Sequence, residues 1–110
     1  MNEATVEFGL AATTVARLRE VLTRHPHVQR AVLYGSRAKG CQRVGSDIDL
    51  ALEGDELTLI DILRIEGELD DLMLPYRIDL ADLAAINNPA LRQHIQRVGV
   101  VFYPNKAWRQ

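Results

Sequence analysis

At 110 residues the chain has room for one compact domain, spanning 1–110, and not for two. Its 47 % apolar and 25 % charged residues are the balance of an ordinary globular protein, and a formal charge of −2 argues against a general nucleic-acid binder, so no direct nucleic-acid contact is expected. The lone Cys41 excludes an internal disulfide, no apolar run approaches the roughly 20 residues that cross a bilayer, and Met1–Ala4 lacks a basic, apolar leader, so a soluble cytoplasmic protein is expected.

Val15, Leu18, Val21 and Leu22 recur at helical spacing, with Arg17, Arg19, Glu20 and Arg24 elsewhere on the wheel, which predicts a helix from Ala11 to Arg24. His25-Pro26 ends it, because a residue before proline is pushed out of the α region. Val28 to Tyr34 is rich in β-branched and aromatic residues and runs into Gly35-Ser36, a strand meeting a turn. Ser36 to Lys39 is expected to open a short helix with Ser36 as its N-cap, and Gly40 and Gly45 bracket a loop. From Asp47 to Leu52 polar and apolar residues alternate with period two, which predicts a second strand with Asp47 and Asp49 on one face.

Ile62, Ile65, Leu69 and Leu72 form the stripe of a helix from Thr58 to Leu72, where Thr58 and Asp61 resemble a capping box. After Pro75, Tyr76 to Leu80 alternates again as a third strand, with Arg77 and Asp79 opposite Ile78 and Leu80. Asn88-Pro89 reads as N-cap and first residue of a last helix, with Leu91, Ile95 and Val98 inward and Gly99 as its stop. Val100 to Tyr103 is expected to add a short edge strand before Pro104. In the tail from Asn105 to Gln110, Trp108 is either a partner anchor or part of a free end. Helices packed on a small mixed sheet of three to four strands, an α+β fold, would bury these stripes.

Three features fall together in this order of elements: a Gly-Ser turn after the first strand, Asp-x-Asp on the second and Asp79 on the third. Residues two apart on a strand project the same way, about 6.6 Å between α-carbons. Asp47 and Asp49 would repel each other unless a cation neutralised them. Divalent ions with oxygen ligands do so, and Mg²⁺ in particular combines few carboxylates with water and substrate phosphates. Asp79 offers a third ligand, and two metals held roughly 3.5–4 Å apart can bind the attacking and leaving oxygens of an in-line displacement. At the turn, backbone N–H groups point outward, Gly35 permits close approach of a phosphate and the Ser36 hydroxyl can hydrogen-bond it. Arg37 and Lys39 are candidates for phosphate contacts or for solvated loop charges, and Arg43 for the latter.

The stretches Leu33-Tyr34-Gly35-Ser36-Arg37-Ala38-Lys39-Gly40 and Gly45-Ser46-Asp47-Ile48-Asp49-Leu50 resemble the Gly-Ser, ten-residue spacer, Asp-x-Asp motif of the DNA polymerase β-like nucleotidyltransferases. More narrowly, the chain is similar to the minimal nucleotidyltransferases, or MNT proteins, and Tyr76-Arg77-Ile78-Asp79-Leu80 resembles their third carboxylate strand. The resemblance covers nearly the whole chain and implies an αβαβαβ-type core. It also implies Mg²⁺, expected as two ions, with ATP as the nucleotide substrate and transfer of a nucleoside monophosphate to a hydroxyl. Carried over, Asp47, Asp49 and Asp79 are the catalytic and metal residues, and Gly35, Ser36, Arg37 and Lys39 are the nucleotide-binding set. It further implies an all-helical partner of the HEPN or substrate-binding type and, for some members, an antitoxin role in which a tyrosine of a toxic ribonuclease is adenylylated.

Two other functions stay open at this level: a non-catalytic antitoxin that masks its partner, and transfer to a small molecule held by a separate subunit. Among the remaining residues, Asp82 is expected to be a cap or surface acid, and His25, His27 and His94 lack zinc-ligand spacing. Cys41 has no evident base, Tyr34 is expected in the core with lining the site as the alternative, and Leu57, Ile60 and Leu74 are candidates for a partner surface.

Overall fold

The computed structural model describes residues 6–104. Two strands of two residues each, β1 (Val6–Glu7) and β2 (Leu10–Ala11), form an antiparallel hairpin that leads into α1 (Ala12–Thr23). Next come β3 (Arg30–Tyr34), the single-turn α2 (Ser36–Lys39), β4 (Ile48–Glu53) and α3 (Leu59–Asp70). β5 (Ile78–Asp82), a 3₁₀ turn at Leu83–Ala85, α4 (Pro89–Val98) and β6 (Val100–Tyr103) complete the described chain.

β3 to β6 build one mixed sheet in the order β5-β4-β3-β6. β3 runs antiparallel to both β4 and β6, whereas β4 and β5 are parallel, joined through α3. A parallel pair needs such a crossover, because a tight turn can only reverse the chain. Each face of the sheet is covered by helix. On one side Val15, Leu18, Val21 and Leu22 of α1 and Ile62, Ile65 and Leu69 of α3 pack on Leu33, Ile48, Leu50, Leu52 and Phe102. On the other, Ile95 of α4 packs on Val32 and Ala51 in a smaller cluster with Tyr34, Leu83, Ile86 and Leu91 around it. The period of two along β4 divides its residues between these faces, so Asp49 shares the α4 side with Ala51.

The α+β architecture and the four principal helices and strands expected from the sequence are present, with local differences. The N-terminal hairpin has no counterpart in the sequence reading, since two-residue strands are too short to show a period. Gly35, not Ser36, occupies the N-cap position of α2, and no side chain caps that helix. The capping box on α3 is complete: Thr58 Oγ1 accepts from Asp61 N–H and Asp61 Oδ2 accepts from Thr58 N–H. Asn88 Oδ1 caps α4 by accepting from Ala90 and Leu91 N–H, with Pro89 in the first turn as expected. Gly99 ends α4 in an extended conformation and not a left-handed one. Its lack of a side chain serves close packing, because a Cβ there would sit 2.7 Å from Val32 Cγ1. The tail with Trp108 lies outside the described residues.

Candidate active site

The three acidic residues come together where β3, β4 and β5 share an edge of the sheet. Tyr34 pairs with Asp49 across the antiparallel β3–β4 ladder, and Asp49 pairs with Asp79 across the parallel β4–β5 ladder. The register therefore sets Tyr34, Asp49 and Asp79 side by side in one row. Asp47 lies one residue before β4, close enough that one carboxylate oxygen from each of the three aspartates falls within 4.8 Å of the others. Asp82 takes no part: it pairs with Leu52, three residues further along β5, and its Oδ1 caps the 3₁₀ turn by accepting from Ala84 N–H.

Such crowding has an electrostatic cost. Burial first, and then the charges of Asp79 and Asp47, hold the Asp49 carboxyl above its usual range, and His94 partly offsets this. The neighbouring Tyr34 phenol is likewise pushed up, by burial and then by Asp49 and Asp79. Arg77, the residue before β5, places its Nε 3.7 Å from Asp79 Oδ1 at an exposed position. A solvated pair of that kind is weak. The site thus holds more negative charge than its own cations balance, and a set of hard oxygen donors at this spacing suits a divalent ion such as Mg²⁺.

Gly35 adjoins the same carboxylate. Its φ is +79°, in the left-handed region that glycine favours, and a Cβ there would run into Asp49 Oδ2. Ser36 follows as the first residue of α2, its carbonyl accepting from Cys41 N–H at 3.0 Å. Lys39 is exposed at the end of this turn.

Arg37, open on sequence between a phosphate contact and a solvated loop charge, is not a solvated one. It is 3 % exposed. Its Nη1 donates to Phe8 O at 2.9 Å, its Nη2 and Nε donate to Ser46 O at 2.9 and 3.2 Å, and its guanidinium lies 5.0 Å from the Tyr76 ring centroid. With its donors committed to backbone carbonyls, Arg37 braces the loop and fixes Ser46, the residue before Asp47. The bulk of the N-terminal hairpin explains why: it supplies Phe8 O as the cover over a residue that the sequence alone leaves on an open loop.

Two residues near the carboxylates were legible only in part. Tyr34, expected in the core, is half-buried and lines the acidic row. His94 has no zinc-type spacing, yet its ring packs edge-on against Tyr34, with centroids 6.2 Å apart at 81°. Its signal was its place on the inward stripe of α4 between Leu91 and Ile95. His25 and His27 sit elsewhere, paired with Glu68 at 3.0 Å and Asp61 at 2.9 Å. Cys41 is exposed. A cleft of about 310 Å³ bordered by Arg30, Glu53 and Arg92 lies at the far end of the α4 face and includes none of the three aspartates. Among the described residues no helix is long and apolar enough to cross a membrane.

Comparison with known proteins agrees with this geometry. The chain is 29 % identical over 91 residues to "Putative protein adenylyltransferase MJ0126" of Methanocaldococcus jannaschii, covering 76 % of this chain and 92 % of that protein. Its structure resembles that of a "putative minimal nucleotidyltransferase" with a TM-score of 0.65 and 28 % identity, over 88 % of this chain and 97 % of the other. The same fold occurs in a chain of the complex of tri-AMPylated Shewanella oneidensis HEPN toxin with MNT antitoxin, at a TM-score of 0.63 and 21 % identity over 86 % of this chain and 73 % of that one. Residues 16–107 match the family model "Polymerase beta, Nucleotidyltransferase", and the acidic row beside a Gly-Ser turn lies within that span. The chain belongs to the polymerase β-type nucleotidyltransferase family and is an enzyme of the minimal, adenylyltransferase-like kind.

Proposed function

We propose that the protein transfers AMP from Mg-ATP to a hydroxyl on a helical HEPN-type partner and so acts as the antitoxin of a toxin–antitoxin pair. The observation that carries this reading is the convergence of Asp47, Asp49 and Asp79 within 4.8 Å, beside Gly35 and Ser36. The kinship with an adenylyltransferase and with the fold of an antitoxin bound to an AMPylated HEPN toxin supports the choice of nucleotide and acceptor.

Asp47, Asp49 and Asp79 would hold magnesium, expected as two ions. Bound there, it would neutralise the carboxylates and the triphosphate and raise the electrophilicity of the α-phosphorus. Gly35 lets the triphosphate approach the backbone, and the Ser36 hydroxyl donates to a phosphate oxygen. Lys39, exposed beside them, neutralises the polyphosphate tail. Asp79, whose side chain is 48 % exposed, accepts the acceptor hydroxyl's proton. The acceptor oxygen then forms its bond to the α-phosphorus as the α–β phosphoanhydride bond breaks and pyrophosphate leaves. Arg37 acts from behind, fixing the backbone that leads into Asp47.

The test is to incubate the chain, the helical protein encoded beside it, Mg²⁺ and ATP labelled on the α-phosphate. Label should appear on the helical protein and disappear with Asp47→Ala. Labelling that persists in that variant would overturn the mechanism.

A further inference from the structure

α3 carries a face that the described chain does not use. Ile62, Ile65 and Leu69 turn into the core, but Leu59, Ile60 and Leu63 on the other side are 71 %, 61 % and 56 % exposed. Close to two aliphatic side chains of apolar surface therefore face water within the first two turns. Gly67 follows one turn after Leu63 on the same stripe, exposed, and a Cβ built there would meet nothing within 4 Å. A glycine inside a helix is destabilising relative to alanine, and no neighbour among the described residues requires it. Open space at that position suits the close approach of a second backbone.

Charge completes the pattern. Arg64 is the single cation of α3, against Asp61, Glu66, Glu68 and Asp70. His27 engages Asp61, and Arg24 and His25 engage Glu68. Glu66 and Asp70 remain on the exposed stripe with Gly67, three and seven residues after Leu63. The stripe is thus aliphatic in its first half and acidic in its second. A second copy of the chain fits it poorly: antiparallel pairing lays Leu59 and Ile60 on the other copy's acids, and parallel pairing lays acid on acid.

We infer that this stripe is the docking site for a partner protein that presents an amphipathic helix, aliphatic at one end and rich in Lys or Arg at the other. The identity of that partner as the HEPN-type protein rests on the AMP-transfer reading. The stripe is separable from the chemistry. Leu59 follows the C-terminal end of β4 at Glu53, while Asp49 lies near its N-terminal end, about 13 Å from Glu53 by strand rise alone.

Calorimetric titration of the intact chain with the helical protein encoded beside it, at low and high salt, tests the assignment. Leu63→Glu should lower affinity at least about 30-fold, as expected of a central apolar anchor, with ATP binding by the chain alone unchanged. Gly67→Leu should raise the Tm of the free chain yet weaken the complex at least about 10-fold, which separates docking from folding. The double variant Glu66→Lys, Asp70→Lys should weaken binding and flatten its salt dependence. If Leu63→Glu and Gly67→Leu bind as the wild type does, the docking site is elsewhere, and continued labelling of the partner would leave the transfer reading intact. Stripe-sensitive binding without any labelling would keep the docking site and remove the transfer reading. A wild-type chain that binds no helical protein, or that self-associates in sedimentation until Leu63→Glu abolishes it, overturns the inference.

Discussion

Gly35 is packed so closely against Asp49 that the space a Cβ would occupy is already taken by the Asp49 carboxylate. The two residues are fourteen positions apart in sequence, but the β3–β4 ladder pairs Tyr34 with Asp49 and so carries the following glycine to the acid. The glycine of the turn and the middle carboxylate are parts of one local geometry.

That contact predicts a specific failure. Gly35→Ala must hold a Cβ at φ +79° and displace Asp49, with a cost of about 1–3 kcal/mol for the backbone alone. The expected result is a Tm lowered by about 5–10 °C, read by thermal denaturation. Nucleotidyl transfer should fall by at least about tenfold beyond what the loss of folded protein explains, because the acid moves with the glycine. An alanine variant with wild-type activity would show that the carboxylate is free to shift.

The two loop cations should behave differently. Arg37 is buried on the carbonyls of Phe8 and Ser46, so Arg37→Ala leaves buried acceptors unpaired and should cost about 2–4 kcal/mol, seen in urea unfolding. Lys39→Ala removes an exposed charge and should leave the unfolding midpoint within error while raising KM for ATP by about 3–10-fold. The reverse pattern would exchange their assignments.

Asp49 is held in its raised state by burial and by its acidic neighbours. Asp49→Asn removes one of three like charges, so in metal-free buffer the variant should melt about 2–5 °C above the wild type. Mg-ATP should raise the wild-type Tm and leave the variant nearly unmoved. Equal stabilisation of both proteins would place nucleotide and metal somewhere else.

A fourth prediction concerns pH. The hydrogen bond that His27 Nδ1 donates to Asp61 Oδ2 raises His27 above its ordinary 6.5, and the same bond lowers Asp61 below 3.8. The raised histidine stabilises the fold fully below 6.5 and loses that contribution as pH rises through its folded value. The lowered carboxyl stabilises above 3.8 and loses its contribution as pH falls through its own folded value. The stability difference between wild type and His27→Gln should therefore be largest between pH 3.8 and 6.5 and shrink on both sides. A difference that is flat from pH 4 to 9 would remove the ion pair from the account.

How far the sequence was legible differs from element to element. α1 could be read because Val15, Leu18, Val21 and Leu22 repeat over two turns, and all four are buried as that period requires. β4 could be read because period two separates Asp49 from Leu50, and the Thr58–Asp61 box is a local device of four residues. The N-terminal hairpin escaped because its strands are two residues long, and with it went the cover over Arg37. Tyr34 and His94 were ambiguous for a related reason. An aromatic at a strand end or a histidine on a helix stripe packs inward in either case, and what it packs against is a partner from another element.

The sequence by itself determined the principal helices and strands, the family and the acidic residues, since periodicity, caps and a Gly-Ser to Asp-x-Asp spacing are all short-range properties of the chain. Only the tertiary structure decided which groups meet: the register that aligns Tyr34, Asp49 and Asp79, the burial that turns Arg37 from a loop charge into a brace, and the face of α3 that the other described residues leave uncovered. Strand register and the partner that each side chain meets are set by contacts between segments distant in sequence, which a local period does not record.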